Sequence, residues 1–166
     1  MANVSNLSLS LWFDGQAEEA ANYYVSIFKT DARIDRTLRY SDVGKEIHGH
    51  EAGSVMTVDF HLGNMNFVAL NGGPEFKFNE SLSIVVDCKS QEEIDYYWEN
   101  LSAGGDEKAQ ECGWLKDKYG LSWQIVPVEL NDMLEYENSE EAKRVMAAML
   151  KMKKLDIAEL KKAYEG

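Results

Sequence analysis

Between Val55 and Leu62, apolar and polar side chains take turns. Val58, Phe60 and Leu62 fall on one side of an extended chain, and Thr57, Asp59 and His61 on the other. A repeat of two predicts a strand with one apolar and one mixed face. The same alternation sets Ser122, Gln124 and Val126 against Trp123 and Ile125. Further strands are predicted over 33–40, 65–71, 108–112, 114–118 and 121–127. Two stretches change to a helical period. Over 16–29, Ala17, Ala20, Ala21, Tyr24, Ile27 and Phe28 share a stripe; over 90–102, Ile94, Tyr97, Trp98 and Leu101 do, with Ser90 as N-cap. Helices covering the apolar strand faces leave the mixed faces free to line a concave pocket.

These elements come twice. Residues 8–24, "SLSLWFDGQAEEAANYY", match residues 81–97, "SLSIVVDCKSQEEIDYY", with Ser8, Leu9, Ser10, Asp14 and Tyr24 recurring as Ser81, Leu82, Ser83, Asp87 and Tyr97. The paired tyrosines are expected to pack their helices onto a sheet. Gly63 and Gly120 mark corresponding hairpins. The first copy is longer by a polar, Gly-rich loop over 41–53, "SDVGKEIHGHEAG". The expected class is α+β: two tandem βαβββ modules, approximately 1–75 and 76–128, forming one domain over 1–128. Residues 129–166 lie outside the repeat as a helical extension. There Asn138 with Glu141, and Asp156 with Glu159, resemble helix-start capping pairs, and Leu155 and Leu160 a hydrophobic staple. Ala142, Val145, Met146, Met149 and Leu150 make one apolar stripe, to be buried on the domain itself or on a partner chain.

Composition narrows the function. Of 166 residues 45% are hydrophobic, which supplies a sizeable core, and the net charge is −12. That charge argues against nucleic acid and anionic membrane as partners, because both need basic patches. No apolar run is long enough to span a bilayer, and the first residues lack a basic signal-peptide start. Cys88 and Cys112 lack metal or redox spacing, so a reducing, cytoplasmic setting is expected.

The segments "LWFDG" (11–15), "LNGGPEFKF" (70–78), Tyr97-Trp98, "CGWLKD" (112–117) and "GLSWQIVP" (120–127) resemble the PhnB-like branch of the vicinal-oxygen-chelate superfamily. Glyoxalase I, extradiol dioxygenases and bleomycin-resistance proteins are members, and the branch is often labelled 3-demethylubiquinone-9 3-methyltransferase. The resemblance implies that the modules form a cup-shaped mixed sheet. It also implies a homodimer and, in metal-using relatives, His, Glu or Gln ligands from the first and last strands of each module. At those positions this chain offers Ser8 and Ser10, Asn71, Ser81 and Ser83, and Gln124 where a glutamate is usual. Neutral serine and amide oxygens do not offset dehydration of a divalent ion, so no metal and no cofactor is expected.

The expected function is therefore binding of a small organic molecule in a metal-free cup lined by aromatic and amide side chains. Gln124, Asn71, Trp114, Trp12, His61 and Phe76 are the candidate ligand-binding residues. Trp12 shares parity with Ser8 and Ser10 and faces either the cup or the helix. Phe76 and Phe78 follow the rim at Asn71-Gly72-Gly73-Pro74. His61, beside Asp59, has the chemistry of a general base if a carboxylate packs on it. Asp117 is expected to cap the turn at Gly120. His48 and His50, flanked by Glu46 and Glu51, have metal-ligand types but sit in a loop with nothing rigid to preorganise them. The alternative is a metal-dependent lyase, isomerase or dioxygenase. Methyl transfer would need a Gly-rich turn between strand and helix in a parallel βαβ sheet, and neither Gly72-Gly73 nor Gly104-Gly105 has that setting.

Overall fold

The computed structural model describes residues 7–136 and 139–166. The chain divides into two compact units, Met1–Lys77 and Phe78–Gly166. The first unit contains β1 (Ser8–Phe13), α1 (Ala17–Phe28), β2 (Ala32–Arg39), α2 (Lys45–His48), β3 (Val55–Leu62) and β4 (Met65–Asn71). Its sheet has the order β1-β4-β3-β2, with β1 parallel to β4 and the other pairs antiparallel. The alternation read along β3 holds: Val58, Phe60 and Leu62 are buried, and the residues between them less so. Helix α1 buries Ala17, Ala20, Ala21, Tyr24 and Ile27. Tyr24 stacks on Phe60 at 6.2 Å, and Phe60 on Phe67 at 5.0 Å. Complete burial of one such ring stabilises the unit by about 2–3 kcal/mol.

The second unit contains β5 (Ser83–Cys88), α3 (Gln91–Ser102), β6 (Trp114–Lys116), β7 (Ser122–Pro127), α4 (Leu130–Leu134), α5 (Glu140–Met149) and α6 (Ile157–Glu165). Its sheet has the order β5-β7-β6, with β5 parallel to β7. Ser90 caps α3 as expected, accepting from Glu93 N. The covering face differs from expectation in one respect: Ile94, Trp98 and Leu101 are buried, whereas Tyr96 and Tyr97 stay half-exposed.

Two sequence-based expectations change. The strand over 108–112 does not form, and the strands make two sheets of four and three. Asp106 Oδ1 accepts from Lys108 N at 2.9 Å and starts a 3-10 turn over Glu107–Ala109. Ala109 N then donates to Asp106 O, Gln110 N to Glu107 O and Glu111 N to Trp114 O, all local bonds. Cys112 N donates to Met152 O at 2.8 Å, and Gly113 N to Lys153 O at 2.7 Å. With the donors of 108–111 closed into local bonds and that of Cys112 held by the C-terminal segment, no ladder propagates along 108–112.

The C-terminal helices thus belong to the second unit. Leu130, Val145, Leu155 and Leu160 form a small core, with Met133, Leu134 and Met149 packed against it. Asp156 caps α6 by accepting from Glu159 N, and Leu155 and Leu160, both fully buried, stand where a staple belongs. At α5 the observed cap is Ser139, accepting from Ala142 N at 3.1 Å; Asn138 of the expected pair lies outside the described residues. The apolar stripe of α5 is divided. Ala142 and Val145 are buried, while Met146 and Leu150 are exposed. Among the described residues no helix is long and apolar enough to cross a membrane.

Candidate functional site

In the second sheet, register sorts the side chains into two sets. Leu115, Trp123, Ile84, Ile125 and Val86 form the buried face. The other face is built from two cross-strand rows. Trp114 and Val85 both pair with Gln124, and Lys116 and Ser83 both pair with Ser122. An aromatic and amide row therefore lies beside a cationic and hydroxyl row. Gln124 Nε2 donates to Ser83 Oγ at 2.9 Å. Lys116 Nζ pairs with the Glu80 carboxylate and, chiefly through that hydrogen bond, holds it below the usual range. A cavity of about 460 Å3 opens here, lined by Glu80, Lys108, Glu111, Trp114, Lys116 and Ser122, among others. Its size falls within the range of ligand pockets.

The turn before β7 holds this face in place. Asp117 is buried and accepts from Tyr119 N at 2.9 Å, Leu121 N at 3.1 Å and Trp123 Nε1 at 2.9 Å. The expected cap is thus also a tether for the core indole.

The open face of the first sheet is more highly charged. A bulge between Ile34 and Arg36 lets both Asp35 and Arg36 line a cavity of about 500 Å3, together with Ser8, Thr57, Asp59 and Asn66. Arg36 grips Asp59 Oδ2 through Nε at 2.9 Å and Nη2 at 2.6 Å. His61 does have a carboxylate partner, but it is Asp35 at 2.9 Å. That hydrogen bond, then the one from Arg33, holds Asp35 below the ordinary carboxyl range.

The remaining candidates in the first unit are held by their own chain. Asn71 is buried; its Oδ1 accepts from Ala17 N at 2.9 Å and its Nδ2 donates to Val55 O at 3.0 Å. The amide satisfies a donor at the start of α1, so it does not project freely into a pocket. Trp12 resolves to the mixed face. Its indole donates to Gly73 O at 2.8 Å and meets Phe76 edge-on at 4.9 Å. A Cβ at Gly72 would lie 2.3 Å from that ring, so only glycine fits. Trp12 and Phe76 are thus brought together within one unit, and Trp114 and Gln124 within the other.

The 41–53 loop faces solvent, with Val43 and Ile47 exposed, yet it is anchored. His48 and His50 stack on Tyr40 at 4.6 and 4.3 Å, and the Tyr40 hydroxyl donates to Asn71 O at 2.7 Å. Glu51 is engaged by Lys45 at 2.7 Å. Among the described residues no three His, Cys, Asp or Glu side chains gather at metal-binding distance. The donor set at the expected ligand positions, Ser8, Ser10, Asn71, Ser81, Ser83 and Gln124, is neutral, and the Asn71 amide oxygen is already taken up by Ala17 N. These residues do not fit a divalent ion. Cys88 is fully buried, and burial pushes its thiol up to about 12.

Sequence reading missed Lys116, Ser122 and Glu80 as site residues. Ser122 shares parity with Gln124, and Lys116 with Trp114, so alternation alone pointed at two of them. Glu80 carried no signal, since its role depends on where Lys116 ends.

Comparison with known proteins agrees with this architecture. The family model for 3-demethylubiquinone-9 3-methyltransferase matches residues 5–126. A PhnB protein from Bacillus cereus, described as a 3-demethylubiquinone-9 3-methyltransferase, is similar at 30% identity and a TM-score of 0.62, over 75% of this chain and 100% of that one. Protein PA1353 from Pseudomonas aeruginosa is similar in fold, at 16% identity and a TM-score of 0.55, over 75% of this chain and 98% of that one. The fosfomycin resistance protein FosX from Listeria monocytogenes aligns at 16% identity and a TM-score of 0.48, over 75% and 94% of the two chains. No curated protein matches.

Proposed function

The chain belongs to the 3-demethylubiquinone-9 3-methyltransferase family, PhnB-like members of the vicinal-oxygen-chelate superfamily, and from that premise we propose that it binds a small organic molecule without a metal, on the open face of its second sheet. The observation that carries the reading is the pairing of Gln124 with Ser83. The amide at the position where relatives carry a metal-binding glutamate is engaged by a neutral hydroxyl, beside the half-exposed ring of Trp114. Trp114 offers a flat apolar surface with one N–H donor, and Gln124 a fixed amide. That suits recognition of a planar organic molecule rather than Lewis-acid activation of one. Trp12, Phe76 and His61 are secondary candidates in the first unit, and Asn71 supports the start of α1 from beneath.

The family's description names methyl transfer, but neither Gly72-Gly73 nor Gly104-Gly105 forms the Gly-rich strand-to-helix turn that usually binds S-adenosylmethionine. Two free thiols, Cys88 and Cys112, support a reducing compartment such as the cytoplasm. The reading includes a homodimer, supported by the exposed Met146 and Leu150 on α5; a sedimenting species of 18.8 kDa at all concentrations would overturn that part.

The experiment is a thermal-shift screen of untagged protein, with and without chelator, alongside metal analysis. A ligand at about 100 times its Kd adds roughly 2.7 kcal/mol, chelator or not. Gln124→Glu should not create tight divalent-metal binding. Stoichiometric zinc, nickel, manganese or iron retained through dialysis would sink the proposal.

A further inference from the structure

The geometry points to a ligand with an anionic head: a small aromatic carboxylic acid, its carboxylate held by Lys116 and Ser122 and its ring laid on Trp114, with Glu80 as the built-in competitor that it displaces. This rests on the binding face proposed above and specifies what that face selects.

Three observations converge on Lys116 and Ser122. They are direct cross-strand partners, so the two side chains leave neighbouring positions on one face. Ser122 is only 1% exposed, yet its Oγ has no hydrogen-bond partner among the described residues. A buried hydroxyl without a partner is destabilising, so its retention beside a cavity marks an unmet hydrogen bond. Its cross-strand neighbour on β5, Ser83, accepts from Gln124 and makes no hydrogen bond with it. The cavity that Ser122 lines is the one containing Lys116 and Trp114.

The state of Lys116 completes the picture. Its side chain is 23% exposed, whereas the Glu80 side chain paired with it is 67% exposed. An exposed carboxylate holding a half-buried ammonium is weakly held and easily exchanged. A ligand carboxylate occupying that place keeps the ion pair and adds a bond from the Ser122 hydroxyl. It sits two residues along β6 from Trp114, within reach of a ring fused to the carboxylate. Lys108 and Glu111 also line the cavity and balance each other in charge, so the release of Glu80 leaves a net positive site.

The test compares 2-naphthoate with its neutral isostere 2-naphthamide by calorimetry. In the native protein the acid should bind about tenfold or more tightly than the amide, the scale of one charge-assisted contact. Lys116→Gln should abolish that preference, bringing acid and amide to within about twofold of each other. Glu80→Gln, which removes the competitor, should tighten the acid several-fold. Ser122→Ala should weaken the acid but leave stability unchanged or raised, since it deletes an unpaired buried group. Equal binding of acid and amide overturns the anion assignment and leaves the binding face intact. Binding of both that ignores Lys116→Gln and Trp114→Ala places the ligand elsewhere and overturns both proposals. Absence of binding by either compound, together with a blank thermal-shift screen, also overturns both.

Discussion

Replacing Asp117 with asparagine keeps the shape of the side chain and changes one atom from acceptor to donor. In the native turn, Oδ1 accepts from Tyr119 N and Leu121 N, and Oδ2 accepts from the indole of Trp123 at 2.9 Å. Asparagine can keep its oxygen on the two backbone donors. Its NH2 then faces the indole N–H, donor against donor, in a site where Asp117 is 2% exposed and Trp123 fully buried. The loss is one charge-assisted hydrogen bond, about 1.5–3 kcal/mol, plus the cost of an unpaired buried donor, about 1–3 kcal/mol. Partial relaxation brings the sum to about 2–4 kcal/mol. In urea, with a slope of about 1–1.5 kcal/mol/M for a unit this small, the midpoint should fall by about 1.3–4 M at constant slope. Tryptophan fluorescence reads the transition directly, because Trp123 is at the centre of the change. Trp123→Phe removes the clashing donor, so a double-mutant cycle should return a coupling of about 1–2 kcal/mol. If Asp117→Asn stays within about 0.5 kcal/mol of the native protein, the tether argument is refuted.

Three other outcomes follow from the same geometry. Asn71→Ala removes the acceptor for Ala17 N and the donor to Val55 O, and should destabilise the first unit by about 1–3 kcal/mol, read by hydrogen exchange in the first turn of α1. Gly105→Ala sets a Cβ 1.9 Å from Lys116 O, a backbone atom that cannot step aside, so about 2 kcal/mol or more should be lost in thermal unfolding; a neutral result would mean the loop lies farther from β6. Asp35 is depressed in the folded state, so its contribution is present above about pH 4 and fades as pH falls through the folded value. Asp35→Asn should therefore cost less than about 1 kcal/mol near neutrality, with the two proteins converging at the acid end; a gap constant with pH would rule out the carboxylate charge as its source.

Much of the fold could be read from the chain because burial imposes short-range periods. The alternation in 55–62 and 122–126, and the stripes in 16–29 and 90–102, are one-dimensional records of which side faces a core. The repeat of 8–24 at 81–97 then fixed the number of modules, and the caps at Ser90 and Asp156 needed only their neighbours three residues on. The resemblance added the family and drew attention to Gln124.

What alternation could not supply was the partner of each polar atom. Residues 108–112 read as a strand, yet none forms: Asp106 starts a turn that closes the donors of 108–111 locally, and Met152, forty residues on, takes up the N–H of Cys112. Asn71 looks like a rim residue until the start of α1 arrives above it. His61 stands two residues from Asp59 but meets Asp35, because register sets Arg33 opposite His61 and Asp35 follows on the same face of that other strand. The pairing of Lys116 with Ser122, and the unmet hydroxyl between them, likewise exist only once two strands are in register. Faces follow from local geometry, which a chain carries in its own order. Hydrogen-bond and charge partners follow from distances between segments far apart in that order, and only folding sets those distances.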